Sequence, residues 1–196
     1  MKTMTLGIIG TAGRGPDGET LKQNLAWWRM MKSVAQTVCV VIKPDSLVSG
    51  GAAYADHFAV QLFLEDYAPS LSLHFPAEFT PFGFKETSSK FDCGRTSNYY
   101  HNLFEKDQGV HSLVEIQSAI EKGAEITVGT SGFKERNTVV ANEAHCMLAF
   151  TFGEGPRLKD GGTLDTMTKF IARRNKGGGS FRAFHFDLNS KRLYEI

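Results

Sequence analysis

Glycines gather at three places in this chain where a run of β-type residues ends. Gly10-Thr11-Ala12-Gly13-Arg14-Gly15 follows the run Thr5 to Ile9, Gly50-Gly51 follows Ser46 to Val48, and Gly161-Gly162-Thr163 closes the loop after Met147 to Phe152. Without a Cβ, glycine lets the backbone approach a ligand closely, and unpaired N–H groups at a strand end or helix start favour anions. A single such loop needs only a tight turn to explain it. Three at one sheet edge point to an anionic, phosphate-bearing ligand. The first loop lacks the Gly-Lys-Ser/Thr ending of a P-loop and does not match GxGxxG in register, which argues against a P-loop NTPase and a standard NAD site. Arg14 supplies this loop either with a guanidinium that forks onto phosphate or with a merely solvated charge.

Sulfur and imidazole chemistry is less evident. Cys39, Cys93 and Cys146 are odd in number and far apart, against a disulfide framework and against a CxxC metal site. Cys39 and Cys146 lie in apolar runs and read as packing residues, whereas Cys93 sits in the polar Asp92-Cys93-Gly94-Arg95, where an arginine favours a thiolate. The six histidines show no metal-ligand spacing. No metal and no cofactor are implied.

Loops of this kind have to be presented by alternating strands and helices. After the strand Thr5–Ile9, a helix from Glu19 puts Leu21, Leu25, Trp28, Met31 and Ala35 on one face, and Val38 to Ile42 reads as a second strand or its edge. Ser46 to Val48 leads into Gly50-Gly51. Ala52 to Asp66 carries the helical stripe Ala55, Phe58, Ala59, Leu62 and Phe63, and Leu71 to Phe75 alternates as a strand that Pro76 ends. Ala77 to about Asn102 has no clean period and reads as a long loop, the kind that is functional or mobile. A helix with Val110, Leu113, Ile116, Gln117 and Ile120 closes at Lys122-Gly123, and Ile126 to Val128 is a short strand. Glu135 to Ala144 is helix, Met147 to Phe152 a buried strand, and Thr163 to Arg174 a helix with Leu164, Met167, Phe170 and Ile171 inward. Gly177 to Gly179 break the chain before a strand at Phe181–Phe186, and Asn189-Ser190 turns into a last strand ending near Ile196. The expectation is one α/β domain over 1–196, a Rossmann-like three-layer sandwich with a mainly parallel sheet and helices on both faces. In such a sheet ligands bind outside the carboxyl ends of the strands.

Composition narrows the partners. The chain has 196 residues, 41% hydrophobic and 22% charged, and 22 basic against 21 acidic residues give a net charge of +1. That balance exerts no general pull on nucleic acid or anionic membrane. No apolar run approaches the roughly 20 residues that span a bilayer, and the opening MKTMTLGIIG is too short for a signal peptide, so the expected location is the cytoplasm.

Beyond these local readings, the chain carries a series of motifs: Val48-Ser49-Gly50-Gly51-Ala52 with Ala55-Asp56, Phe75-Pro76-Ala77-Glu78-Phe79 with Gly83, Glu135-Arg136-Asn137, Ala149-Phe150, and Gly161-Gly162-Thr163-Leu164-Asp165-Thr166. In this order they resemble the YspA/YpsA-like branch of the SLOG superfamily, which also contains the LOG nucleotide hydrolases and the DNA-binding DprA proteins. The resemblance covers most of the chain. It implies a Rossmann-like domain that binds a nucleotide or nucleotide-derived molecule, with Gly50, Gly51 and Asp56 on one side of the ligand and Arg136, Asn137, Gly161, Gly162 and Thr163 on the other. Two departures stand out. Some fifty residues, about 84–134, intervene before the Arg-Asn motif as an inserted, lid-like segment or partner surface. Thr166 occupies the place where LOG hydrolases carry a glutamate.

The implied function is nucleotide binding, with cleavage of an N-glycosidic bond in a nucleoside monophosphate as its catalytic form. Cleavage needs a carboxylate, for which Asp56, Glu78 and Asp165 are the candidates, and cations on the phosphate, for which Arg14 and Arg136 are the candidates. Gly10 and Thr11 complete the ligand-binding set. A non-catalytic sensor or sequestering module is the alternative. Single-stranded DNA binding is a third reading, in which Tyr99, Tyr100 and Phe104 stack bases, but near-zero net charge weighs against it. A homo-oligomer is compatible with the sequence and not specified by it.

Overall fold

The computed structural model describes residues 3–22, 25–129, 132–177 and 181–196. The chain runs β1 (Thr5–Gly10), α1 (Pro16–Lys22), α2 (Leu25–Ile42), β2 (Ser46–Ser49), a 3₁₀ turn (Tyr54–His57) leading into α3 (Phe58–Leu64), and β3 (Leu71–Phe75). A small hairpin, β4 (Phe79–Thr80) and β5 (Gly83–Phe84), precedes α4 (Cys93–Gln108), α5 (Ser112–Lys122) and β6 (Glu125–Val128). Then come α6 (Phe133–Glu143), β7 (Cys146–Thr151), α7 (Gly162–Gly177), β8 (Arg182–Asp187) and β9 (Arg192–Glu195).

Seven strands form one sheet in the order β6-β3-β2-β1-β7-β8-β9. Every neighbouring pair is parallel except β8 with β9. Strand order reverses at β1, which pairs Gly7 with Val48 of β2 on one side and with Met147 of β7 on the other. The chain is therefore an α/β protein with Rossmann-like topology, and its switch point is the β1/β7 boundary.

Period-two alternation builds the three layers. On one face Leu6, Ile8, Leu47, Leu73, Leu148, Phe150 and Phe186 pack under Trp28, Met31, Phe58, Phe104 and Ile116. On the other, Ile9, Val48, Met147, Ala149 and Ala183 pack under Val140, Met167 and Phe170. Trp28 stacks on Phe58 at 4.0 Å and meets Phe104 edge-on at 4.7 Å, locking α2, α3 and α4 together.

Two expectations are corrected. Val38 to Ile42 is not a strand but the end of α2: Val38 and Cys39 continue the buried stripe of Trp28, Met31 and Ala35, while Val40 and Val41 are 60% and 67% exposed. The helical period outweighs β propensity there. The helix expected from Glu19 onward is recorded as α1 and α2, with Gln23 and Asn24 outside the described residues, as are Gly178 and Gly179 of the expected break. The presumed loop Ala77–Asn102 contains the β4–β5 hairpin and the start of α4. Periodicity missed α4 because its buried side is Gly94, His101 and Phe104, only one of them an apolar side chain. Asp92 caps it, accepting from the Arg95 N–H at 2.7 Å and from Thr87. These bonds, those to Thr87 first, hold the Asp92 carboxyl down at about 2.

Within the 84–134 stretch, Lys85–Phe91 is exposed throughout, whereas Phe104, Ile116 and Ala119 enter the core and β6 pairs with β3. Most of the stretch is thus built into the sandwich.

Gly10, the last residue of β1, has no room for a side chain: a Cβ would lie 2.5 Å from Ala55 Cβ and 2.6 Å from the Phe150 carbonyl oxygen. Gly10→Ala should therefore destabilise the fold by about 1–3 kcal/mol, seen as a lower urea midpoint at unchanged m-value. An unchanged midpoint would show that the 3₁₀ turn shifts at no cost.

Candidate functional site

A cleft of about 310 Å³ opens at the carboxyl ends of β1 and β7. Its floor is Ile9, Gly10 and Thr11 of β1 and its turn, with Gly50 and Asp56 beyond the end of β2. Arg136 and Asn137 of α6 and Gly161, Gly162 and Thr163 at the start of α7 form one wall, and Thr96, Ser97, Tyr100 and His101 of α4 form another. The switch point thus brings together segments that are far apart in sequence.

Asp56 is buried, and its Oδ1 accepts the Gly10 N–H at 3.0 Å. Burial pushes its pKa up to about 6, opposed by the Arg136 charge and by the N–H groups of Gly10, Ala52 and Gly50. Arg136 is half-buried. Burial lowers its pKa, Asp56 raises it, and Arg14 lowers it as a like charge. One Arg136 amino group donates to the Gly50 carbonyl at 3.4 Å and the other to Asn137 Oδ1 at 3.2 Å, while its fully covered Nε has no acceptor among the described residues. A Cβ at Gly50 would lie 2.6 Å from that Nε, so any larger residue there would displace the Arg136 side chain. Asn137 passes the connection on, donating to the Gly162 carbonyl and to Asp165 Oδ2, each at 3.3 Å.

Arg14, exposed on the first glycine loop, places its guanidinium carbon 4.9 Å from the Tyr100 ring centre and 5.6 Å from that of Phe133. Arg136 lies 5.3 Å from the same Phe133 ring. Among the described residues neither arginine is in a salt bridge, unlike Lys159, which meets Asp17 at 2.6 Å. Asp17 also accepts from the Thr11 hydroxyl at 3.3 Å, so the β7–α7 loop is clasped to the β1–α1 loop.

Two buried histidines are fixed as neutral donors and acceptors. His101 Nε2–H donates to the Gly51 carbonyl at 3.1 Å, leaving Nδ1 to accept from the Ser112 hydroxyl at 2.8 Å. Burial, helped by His57, pushes its pKa down to about 3. His185 Nδ1–H donates to the Gly155 carbonyl, so Nε2 accepts from the Thr151 hydroxyl, which in turn accepts the Lys159 N–H at 3.2 Å. Tyr54, at φ 61°, is held in that strained conformation by burial and by donation to Asp107 at 2.8 Å.

The residues proposed from sequence divide accordingly. Gly10, Thr11, Arg14, Gly50, Asp56, Arg136, Asn137, Gly161, Gly162 and Thr163 all line the cleft. Gly51 lies behind it, with φ +62° and the Phe75 ring 2.4 Å from where a Cβ would sit. Glu78 does not line the cleft. It pairs with Lys85 at 2.8 Å on the exposed hairpin side. Asp165 does not line it either, because the helical turn aims it outward to Lys169 at 2.8 Å. Phe104 is fully buried core and offers no stacking face. Sequence reading missed Thr96, Ser97, His101, Thr151 and Lys159 as lining residues. The Ser97, His101, Phe104 spacing of α4 was the available signal for the first group.

Among the described residues no set of three or more His, Cys, Asp or Glu is placed to hold a metal ion, and no helix is long and apolar enough to cross a membrane.

Fold and cleft define the class: a Rossmann-like α/β protein whose site lies at the switch point of the sheet. No protein-family model matches the chain. It is 35% identical over 181 residues to a protein of Acanthamoeba polyphaga mimivirus described as "Uncharacterized protein R261", covering 90% of this chain and 95% of that one. The chain belongs to the family of that mimivirus protein.

Because the Asp56 pKa is raised on folding, the protonated form is favoured in the native state, so its stability contribution is full below about pH 4 and is lost as pH rises through about 6. Relative to Asp56→Asn, the native protein should lose on the order of 2–3 kcal/mol between pH 4 and pH 7 in urea denaturation. A pH-independent difference between the two proteins would mean that Asp56 ionises normally.

Proposed function

We propose that this cleft binds a phosphate-bearing nucleotide or nucleotide-derived metabolite. The observation that carries the reading is the pair of arginines, Arg14 and Arg136, that flank one Phe133 ring at the cleft with neither held in a salt bridge among the described residues. An anion supplied from solution satisfies both, and a guanidinium fork suits phosphate geometry. The unpaired backbone N–H groups expected at the start of α7, beside Gly161-Gly162-Thr163, favour the same ligand. Asp160 brings negative charge to the exposed rim, whereas Asp17 is neutralised by Lys159, which sets a preference for a ligand anchored deep rather than at the rim. The motif resemblance to the YspA/YpsA-like branch of the SLOG superfamily supports the same class of ligand.

Hydrolysis of the ligand's N-glycosidic bond is the second reading, favoured by one observation: of Asp56, Glu78 and Asp165, only Asp56 lines the cleft. Of those three, its carboxylate is the one placed to stabilise an oxocarbenium-like centre. Should it serve only to hold Gly10, the protein senses or sequesters its ligand.

Calorimetry with adenosine, guanosine, cytidine and uridine 5′-monophosphates tests binding. Arg14→Ala, at an exposed position, and Arg136→Ala should each weaken the best-bound nucleotide by about 1.5–3 kcal/mol. Unchanged affinity in both folded variants would remove the arginines from the site.

Chromatography for free base separates the two readings. Release that falls about 10²-fold in Asp56→Asn with binding retained supports hydrolysis. Tight binding with no release leaves the sensor or sequestering reading.

A further inference from the structure

We propose that the slot between Tyr100 of α4 and Phe133 of α6 is the subsite for a flat heteroaromatic base, and that Arg14 fills it as a place-holder until the ligand arrives. This rests on the reading of the cleft as a nucleotide site and adds which part of the nucleotide α4 recognises.

The Arg14 guanidinium is planar and delocalised, and its carbon lies 4.9 Å from the Tyr100 ring centre and 5.6 Å from that of Phe133, so one flat group already sits within cation–π reach of both rings. A purine or pyrimidine offers the same thickness and a larger stacking face. Arg14 can leave without breaking an ion pair among the described residues, and it sits on an exposed loop flanked by Gly13 and Gly15, both at positive φ. Once displaced, it is free for the phosphate.

The wall itself is fixed. His101, next to Tyr100, is buried and bonded to the Gly51 carbonyl, and Phe104, one turn on, is core. Tyr99 meets Tyr100 edge-on at 5.2 Å from outside. Polar groups for reading a base edge stand beside the ring. Ser97 lines the cleft with no side-chain hydrogen bond among the described residues, and the Thr96 hydroxyl donates its proton to the Asp92 carbonyl, leaving its lone pairs as acceptors. Stacking thus supplies affinity for any base, and the hydroxyls supply selection among bases.

The test compares ribose 5-phosphate, which has the phosphate and sugar but no base, with the four nucleoside 5′-monophosphates, by calorimetry on the wild type, Tyr100→Phe, Tyr100→Leu and Ser97→Ala. The wild type and Tyr100→Phe should bind at least one nucleotide tenfold or more tightly than ribose 5-phosphate. Tyr100→Leu should bring the two within about twofold while leaving ribose 5-phosphate itself within threefold of wild type, and Ser97→Ala should narrow the spread among the four nucleotides. Equal binding of nucleotide and ribose 5-phosphate by the wild type, or a Tyr100→Leu loss shared equally by both, overturns the base slot and leaves the phosphate reading standing. Failure of every phosphorylated probe to bind overturns both.

Discussion

The burial of one carboxylate, Asp56, under the end of β1 is the constraint from which the rest of the site follows. A charge in that position needs donors and a counter-charge. The Gly10 N–H supplies a donor at 3.0 Å, which fixes the end of β1 against the 3₁₀ turn, and Ser49 reinforces the junction with its single hydroxyl proton shared between the Ile8 and Asp56 carbonyls at 2.8 and 3.1 Å. Arg136 supplies the counter-charge, and its guanidinium lies so close to the end of β2 that a side chain at position 50 would push it aside. Asn137 then joins this group to the first turn of α7. Three segments from distant parts of the chain are held in register by a short series of polar contacts beside the cleft.

The division of labour around the cleft follows from what each wall can hold still. Asp56 is kept in place by backbone donors, and its fixed position lets the carboxyl stay shifted upward rather than relax toward water. Lys159 and Asp17 neutralise each other across the mouth, so their pairing acts on loop position more than on the field within. Among the described residues Arg14 leans on rings and is in no ion pair, so it is the adaptable cation. One fixed and one movable arginine suit the proposed ligand, which carries charge at one end and a flat group at the other.

Helix α4 shows how one element serves both core and cleft. Phe104 sits against Trp28 and Tyr54, while Thr96, Ser97 and Tyr100 face the cavity. Anchoring runs through polar atoms as much as through apolar area: Asp92 caps the helix, Asn98 bridges the Phe84 backbone through both its oxygen and its nitrogen at 2.8 Å, and His101 holds the Gly51 turn. Such an arrangement couples the position of the aromatic wall to the β5 hairpin strand and to the turn after β2.

Local pattern was enough to outline the sandwich. The alternation in β3, the short apolar or β-type runs of β1, β7 and β8 and the three-and-four spacing in α5 and α7 are properties of neighbouring residues, and each of these elements appears near where its pattern places it. The glycine loops at strand ends were legible for the same reason, since a strand followed by a helix puts its connecting turn at the carboxyl edge. Elements whose buried side is polar or small were not legible: α4 turns Gly94 and His101 inward, and Val38 to Ile42 has strand-like composition on a helical face. Nor does sequence separate Asp56 from Glu78 and Asp165. The choice among those carboxylates depends on which way each side chain points after residues many tens apart have packed, and only the tertiary structure puts Asp56 under β1, Glu78 beside Lys85 and Asp165 beside Lys169.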